Sequence, residues 1–140
     1  MSIINDIRAC LDTHLAGTAS IPTVAHQNVP YEPDTGSEYV KATLVPTSRR
    51  PAVRGSNPQQ RYEGVYLLLV CTPEANGSGA GYTIADKLLD RFDATNDISY
   101  TNPTTLETII LTINYSEVGT SFLDSPFYCT PVTVSWYIFK

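Results

Sequence analysis

Arg61–Phe92, RYEGVYLLLVCTPEANGSGAGYTIADKLLDRF, holds the longest apolar run, the densest glycine cluster and the clearest amphipathic pattern in the chain. From Tyr62 to Thr72 the residues are predominantly apolar, with Val65, Leu67, Leu69 and Cys71 alternating with Tyr66, Leu68 and Val70. Both faces of this run are apolar. It therefore reads as a central strand covered on two sides, or on one side by a partner subunit. Pro73 ends it, because proline cannot donate to a strand ladder. After an Asn76–Gly81 linker, Ile84, Ala85, Leu88, Leu89 and Phe92 recur at helical spacing, with Asp86, Lys87, Asp90 and Arg91 between them. That pattern predicts a helix with one buried stripe.

A strand, a glycine-rich turn and a helix invite a phosphate-binding reading. The dinucleotide fingerprint needs glycine at the first, third and sixth positions. Counted from Gly77, the sixth position is Tyr82. A phosphate-cradling Gly-Lys-Ser/Thr loop is also missing, since no lysine lies between Val70 and Asp86. The glycines read as a flexible connection. A small ligand- or nucleotide-binding α+β domain built around Gly77–Gly81 stays as an alternative of a different class.

The 140 residues fit one domain, 1–140, large enough to bury a core. Cys10, Cys71 and Cys129 are odd in number and lack CxxC spacing, as expected of small buried hydrophobes in a reducing compartment. The first ten residues, MSIINDIRAC, have neither the basic region nor the continuous apolar stretch of a signal peptide. No run has the length of a membrane span. A formal charge of −5 argues against a protein whose main task is gripping nucleic acid.

Ser2 can cap a first helix, with Asn5 and Asp6 near the positive end of its dipole. Ile3, Ile4, Ile7, Leu11 and Leu15 make its stripe, Arg8 and Asp12 a possible ion pair, and Gly17 its end. His14 lies beside the stripe as an edge or capping residue. Ile21–Val29 is a short strand candidate. Pro30–Glu38, PYEPDTGSE, is turn chemistry, and Tyr39–Val45 resumes alternation as a hairpin neighbour of the central strand.

Between these strands, residues 46–60, PTSRRPAVRGSNPQQ, have no apolar periodicity and are predicted to be a long mobile loop. With Arg61 the segment carries Arg49, Arg50 and Arg54, four of the nine basic residues of an acidic chain. Such a segment reads as a binding arm whose guanidinium groups pair with an acidic partner surface.

Beyond the second helix, a short strand is predicted at Ile98–Thr101 and a longer one at Leu106–Val118. The latter places Ile109, Leu111, Ile113 and Tyr115 on one face. Gly119–Ser125 breaks the pattern. Pro131–Lys140, PVTVSWYIFK, is the last strand, with Val132, Val134, Trp136 and Ile138 on one face and Tyr137 and Phe139 on the other. The element order predicts an α+β fold with a single mixed, mostly antiparallel sheet and two helices on one face. The second, aromatic face then has no helix to cover it. Tyr137 and Phe139, together with Tyr66 of the central strand, are the expected subunit contacts.

No constellation of catalytic type emerges, and no cofactor or metal is expected. No serine sits in GxSxG, His14 and His26 are the only imidazoles, and Glu32, Asp34 and Glu38 cluster in a turn where solvation is the default.

Val24, Asn28–Pro33, Gly36, Tyr39–Pro46, Arg61–Pro73 and Asn76–Phe92 match a pattern of the form V…NVP(Y/F)xP…G…Y(V/L)…LxP, a variable loop, then RYxGxYxxxVxTPxGxGxG and a helix ending near Phe. In these residues the chain resembles the tail terminator proteins of long-tailed, siphovirus-like bacteriophages. Glu74-Ala75-Asn76 lengthens the linker relative to a direct Pro-x-Gly. The match runs from the first helix to the second, and the C-terminal strands agree in type and order. The resemblance implies a non-enzymatic virion protein of the tail's neck region, assembled in the host cytoplasm. It would form a homo-oligomeric ring, usually a hexamer, that caps the head-proximal end of the tail tube, stops tube polymerisation and meets the head connector or stopper protein. DNA would pass through its lumen without specific binding, which suits an acidic subunit. Another neck component, such as a head-completion or stopper protein, is the alternative within the same class.

Overall fold

The alternating stripes meet in one sheet. The computed structural model describes residues 3–27, 29–32, 36–56, 58–74, 79–94 and 97–140. Its elements are α1 (Ile3–Ala16), β1 (Thr23–Ala25), β2 (Tyr39–Pro51), β3 (Gln60–Pro73), α2 (Gly79–Arg91), β4 (Asp97–Thr101), β5 (Thr108–Val118), β6 (Phe122–Asp124) and β7 (Phe127–Phe139). The strand order is β1-β2-β3-β7-β5-β4, with β6 paired to β7. Among the described residues β1 and β2 pair in parallel and the other pairings are antiparallel. The fold is α+β, and the apolar run of β3 lies inside the sheet between β2 and β7.

Both helices cover the same face. Ile7, Leu11 and Leu15 of α1 and Ile84, Ala85 and Leu88 of α2 are buried against Val40, Ala42, Leu68, Val70, Leu111, Ile113, Val132, Val134 and Trp136. Burial of each large aliphatic side chain contributes about 1.5–3 kcal/mol, so the helix stripes supply much of the driving force. Gly64 lets the β2 backbone and the Trp136 side chain approach β3 closely. A Cβ there would stand 2.5 Å from the Val45 carbonyl oxygen and 2.9 Å from Trp136 Cζ2.

Several boundaries differ from the sequence-based expectation. The predicted loop over 46–60 narrows to 52–59, because β2 continues to Pro51 and β3 begins at Gln60. A bulge between Pro46 and Ser48 absorbs the proline, and pairing then resumes with Ser48 opposite Glu63 and Arg50 opposite Arg61. Gly79 and Gly81, assigned to the linker, lie in the first turns of α2. At Gly81 a Cβ would be 3.0 Å from Thr130 Oγ1, so glycine permits the helix to approach β7 closely. β6 falls in the stretch read as a break, and β7 starts at Phe127, ahead of Pro131. The Ser2 cap, Asn28, Pro33, Asp34 and residues 76–78 of the linker lie outside the described residues.

The two helix ends hold each other. His14 Nε2 donates to the Arg91 carbonyl at 2.8 Å, and Arg91 Nε donates to the His14 carbonyl at 2.9 Å. Each last-turn side chain thus caps a C-terminal carbonyl of the other helix, and the His14 carbonyl also accepts from the Gly17 amide at 3.2 Å. Burial, foremost, lowers the His14 pKa from its ordinary value, and Arg91 opposes the proton as well as accepting the ring's hydrogen bond. The capping role expected for His14 is the one observed.

Candidate interaction surfaces

The face of the sheet away from the helices carries an organised aromatic and charged patch. Strand register sets Arg61 opposite Phe139 and Glu63 opposite Tyr137. The Arg61 guanidinium lies 4.7 Å from the Tyr137 ring centre and 5.8 Å from that of Phe139, and the two rings meet edge to face at 5.8 Å. These distances are those of cation–π contact. Glu63 completes the patch, with Arg50 at 3.3 Å, Arg61 at 3.4 Å and the Ser48 hydroxyl donating at 2.7 Å. The Ser48 hydrogen bond foremost holds the Glu63 carboxyl below its usual range; burial opposes it, and the charges of Arg50 and Arg61 add to the lowering. Phe139 remains 44 % exposed, so the patch is presented to solvent.

The four arginines read as one arm are therefore divided. Arg50 and Arg61 belong to the open face. Arg49 projects from the opposite side of the hairpin, 5.6 Å from the centre of the Tyr62 ring, and lines a shallow cleft of about 550 Å³ with Ile3, Ile4 and Pro46. Arg54 sits in the exposed turn. What places Arg61 beside Tyr137 and Phe139 is the β3–β7 register, which joins residues assigned to two separate surfaces.

Tyr66 is a correction. It lies on the helix-covered face, 1 % exposed, with its hydroxyl donating to the Asp12 carboxylate and its ring 5.9 Å from that of Phe92. Its partner across the sheet is Val134, whereas Tyr137 and Phe139 point the other way. Tyr66 is thus a core residue whose polar tip is satisfied from α1, and it does not contribute to the open surface. Asp12 also receives Arg8 at 3.0 Å, the expected ion pair, and His26 Nδ1 lies 3.8 Å away. These groups line a cleft of about 620 Å³ that also includes Ala42 and Leu44 of β2.

Tyr115 is a second correction, in the opposite direction. A bulge between Ile113 and Tyr115 sets Tyr115 opposite Ser135 on the open face, where it is 46 % exposed. Leu67 and Ile110 are also exposed on this face. Sequence reading missed Glu63 and Ser48. For Glu63 a signal was present, because residues two apart on a strand share a face and Glu63 follows Arg61 at that interval.

At the other end of the open face, Cys71 and Cys129 face each other as register partners, flanked by Tyr39, Leu69 and Phe127. Tyr31 packs on Tyr39 with ring centres 5.5 Å apart, so the turn after β1 reaches over this corner. Among the described residues no group of three or more His, Cys, Asp or Glu side chains could hold a metal ion. No described helix is long and apolar enough to cross a membrane.

The chain is thus an α+β protein whose mixed sheet is backed by two helices on one face and open on the other. One solved chain shares the fold with a TM-score of 0.70 at 20% identity, the match covering 100% of this chain and 96% of that one. A search of the curated proteins gives no match. The family model described as phage tail terminator protein matches residues 6–136. The chain belongs to the phage tail terminator family, and it is a structural protein of the phage tail that works in contact with other tail components.

Proposed function

We propose that copies of this chain close into a hexameric ring on the head-proximal end of the tail tube, end tube polymerisation there and join the tail to the head connector. The observation that carries this reading is the asymmetry of the sheet in a member of the terminator family: one face is sealed by both helices, and the other presents Arg50, Arg61, Glu63, Tyr137 and Phe139. A ring built from head-to-tail contacts needs two unlike surfaces on each subunit. Tyr137 and Phe139 form one of them, with Arg61 at its edge. Arg49 and Arg54, together with Arg50 and Arg61 at the edge of the open face, reach toward acidic groups of the adjacent ring. DNA passes through the lumen without specific contacts, and the subunit acts in the neck of the virion after assembly in the host cytoplasm. Its role is to position other chains, without bond-making chemistry.

The test mixes the purified protein with tail tubes and images them by electron microscopy, with native mass spectrometry of the protein alone and with tube protein. Capped tube ends and a ring-sized assembly are expected. A strictly monomeric chain with no affinity for tube ends overturns the proposal, and binding to connector but never to tube reassigns the chain to another ring of the neck.

A further inference from the structure

We propose that Cys71 and Cys129 form an oxidisable pair, a site at which a peroxide converts two thiols into a disulfide that staples β3 to β7. The inference rests on strand geometry and does not depend on ring formation. The two residues are direct register partners on adjacent antiparallel strands. Directly opposed residues of such strands have Cα atoms about 4.5 or 5.5 Å apart. A disulfide spans Cα separations of roughly 4.4–6.8 Å, so the backbone already meets its requirement. The side chains point at each other, with Sγ atoms 2.6 Å apart, and both thiols are free.

The surroundings fit a site that is quiet until oxidised. Both residues are 0 % exposed, beneath Tyr39 and Phe127, whose rings meet at 5.1 Å. Burial foremost, and then Cys71, push the Cys129 thiol up to about 12, so it stays protonated near neutral pH. The cover is thin, however. On one side it is β6, a three-residue strand whose Phe122 pairs with Cys129, and on the other it is the turn that carries Tyr31. Local opening of either segment admits a small oxidant. One thiolate attacks a peroxide oxygen, the O–O bond breaks, and the departing hydroxide is protonated to water, leaving a sulfenic acid. The second thiol attacks that sulfur, the S–O bond breaks and a second water leaves. Two thiols are oxidised by two electrons, and one peroxide is reduced to two waters. The staple joins residues 58 apart in sequence. A virion protein passes from a reducing cell to oxidising surroundings, which is where such a bond persists.

Cys10 supplies an internal reference. It is buried under the helices, and burial pushes its thiol up to about 12, with no cysteine partner. The folded protein is treated with hydrogen peroxide at neutral pH, then denatured with an alkylating agent, and its intact mass and peptides are measured. A loss of 2 Da, one alkylated site at Cys10, and a Cys71–Cys129 cross-linked peptide that disappears with reductant are expected. The oxidised form should melt higher by roughly 5–15 °C, a shift absent from Cys71→Ala. Alkylation of both Cys71 and Cys129 after the treatment, or cross-links that involve Cys10 instead, overturns the proposal. The cross-link map of the unmutated protein decides even where the alanine variant fails to fold.

Discussion

The two faces of the sheet are built from the same strands and differ in what happens to alternate residues. On β7, Val132, Val134, Trp136 and Ile138 are buried under the helices, while Thr133, Ser135 and Tyr137 are only partly covered and Phe139 is exposed. On β3, Tyr66, Leu68 and Val70 go inward, and Arg61, Glu63 and Leu67 go outward. Composition separates these sets only in part, since Leu67, Tyr137 and Phe139 stand on the outward face beside Thr133, Ser135, Arg61 and Glu63, while the inward set is apolar or aromatic throughout. What separates them is covering: two helices on one side, a cation–π and carboxylate network on the other. Adjacent residues of one strand thus meet different surroundings, so stability and the proposed contact can be altered separately.

That separation breaks most sharply at neighbouring positions. Trp136→Ala should lower unfolding free energy by about 3–5 kcal/mol in urea denaturation, because it opens a cavity in the core between sheet and helices. Its neighbour Tyr137→Ala should cost about 1 kcal/mol or less. Equal losses at the two positions would refute the division of faces. Tyr66→Phe comes next. Removing its hydroxyl deprives Asp12 of a donor, and a loss of about 1–3 kcal/mol is expected in the same assay, with assembly unchanged. If Tyr66→Phe instead stopped assembly at full stability, the tyrosine would act at an interface after all.

Tyr137→Ser combined with Phe139→Ser sharpens the comparison from the other side. Its stability should stay within about 1 kcal/mol of the unmutated chain, while self-association measured by native mass spectrometry falls at least tenfold. The triple change of Arg49, Arg50 and Arg54 to alanine should cost less still. Arg50 and Glu63 form an exposed pair, and such pairs contribute about 0–1 kcal/mol. Docking to tube or connector should weaken, and normal yields of infectious particles would refute the arm's role.

The smallest effects are those of pH, and they address the faces in different windows. The His14 pKa is lowered from 6.5 in the folded chain, so the unfolded state takes up the proton first. Stability from this site is fully present above about pH 6.5 and declines as pH falls below it. His14→Ala should flatten that slope in thermal melts between pH 7 and 5. Glu63 is depressed from 4.5, so its contribution is present above that value and is lost only as pH falls through its folded pKa. Glu63→Gln should leave the pH 5–7 slope untouched.

Much of the architecture was legible because periodicity is a local property. The stripe of Ile7, Leu11 and Leu15, the helix ending at Phe92, and the alternation of β3, β5 and β7 all follow from residues close in sequence. The boundaries that were missed depend on partners. Residues 48–51 carry no apolar pattern, yet they continue β2 because Glu63, Tyr62, Arg61 and Gln60 stand opposite them. Tyr115 was assigned to the wrong face because strict alternation takes no account of a bulge at Asn114, and the bulge exists only in the pairing with β7. Of the proposed contact residues, Tyr137 and Phe139 lie on the face away from the helices, where parity alone places them. The connection of Arg61 to them does not follow from parity, since two strands about seventy residues apart had to be aligned first.

The sequence by itself determined the element types, the central position of the Arg61–Pro73 strand and the family pattern, because each is written in spacings shorter than one strand or helix. Tertiary structure decided which side of each strand faces the helices, which arginines share a carboxylate, and that Cys71 meets Cys129. These outcomes depend on register, and a shift of one residue would turn every side chain of a strand to the other face. Register is fixed only when the helices seal one side and Trp136 settles against Gly64.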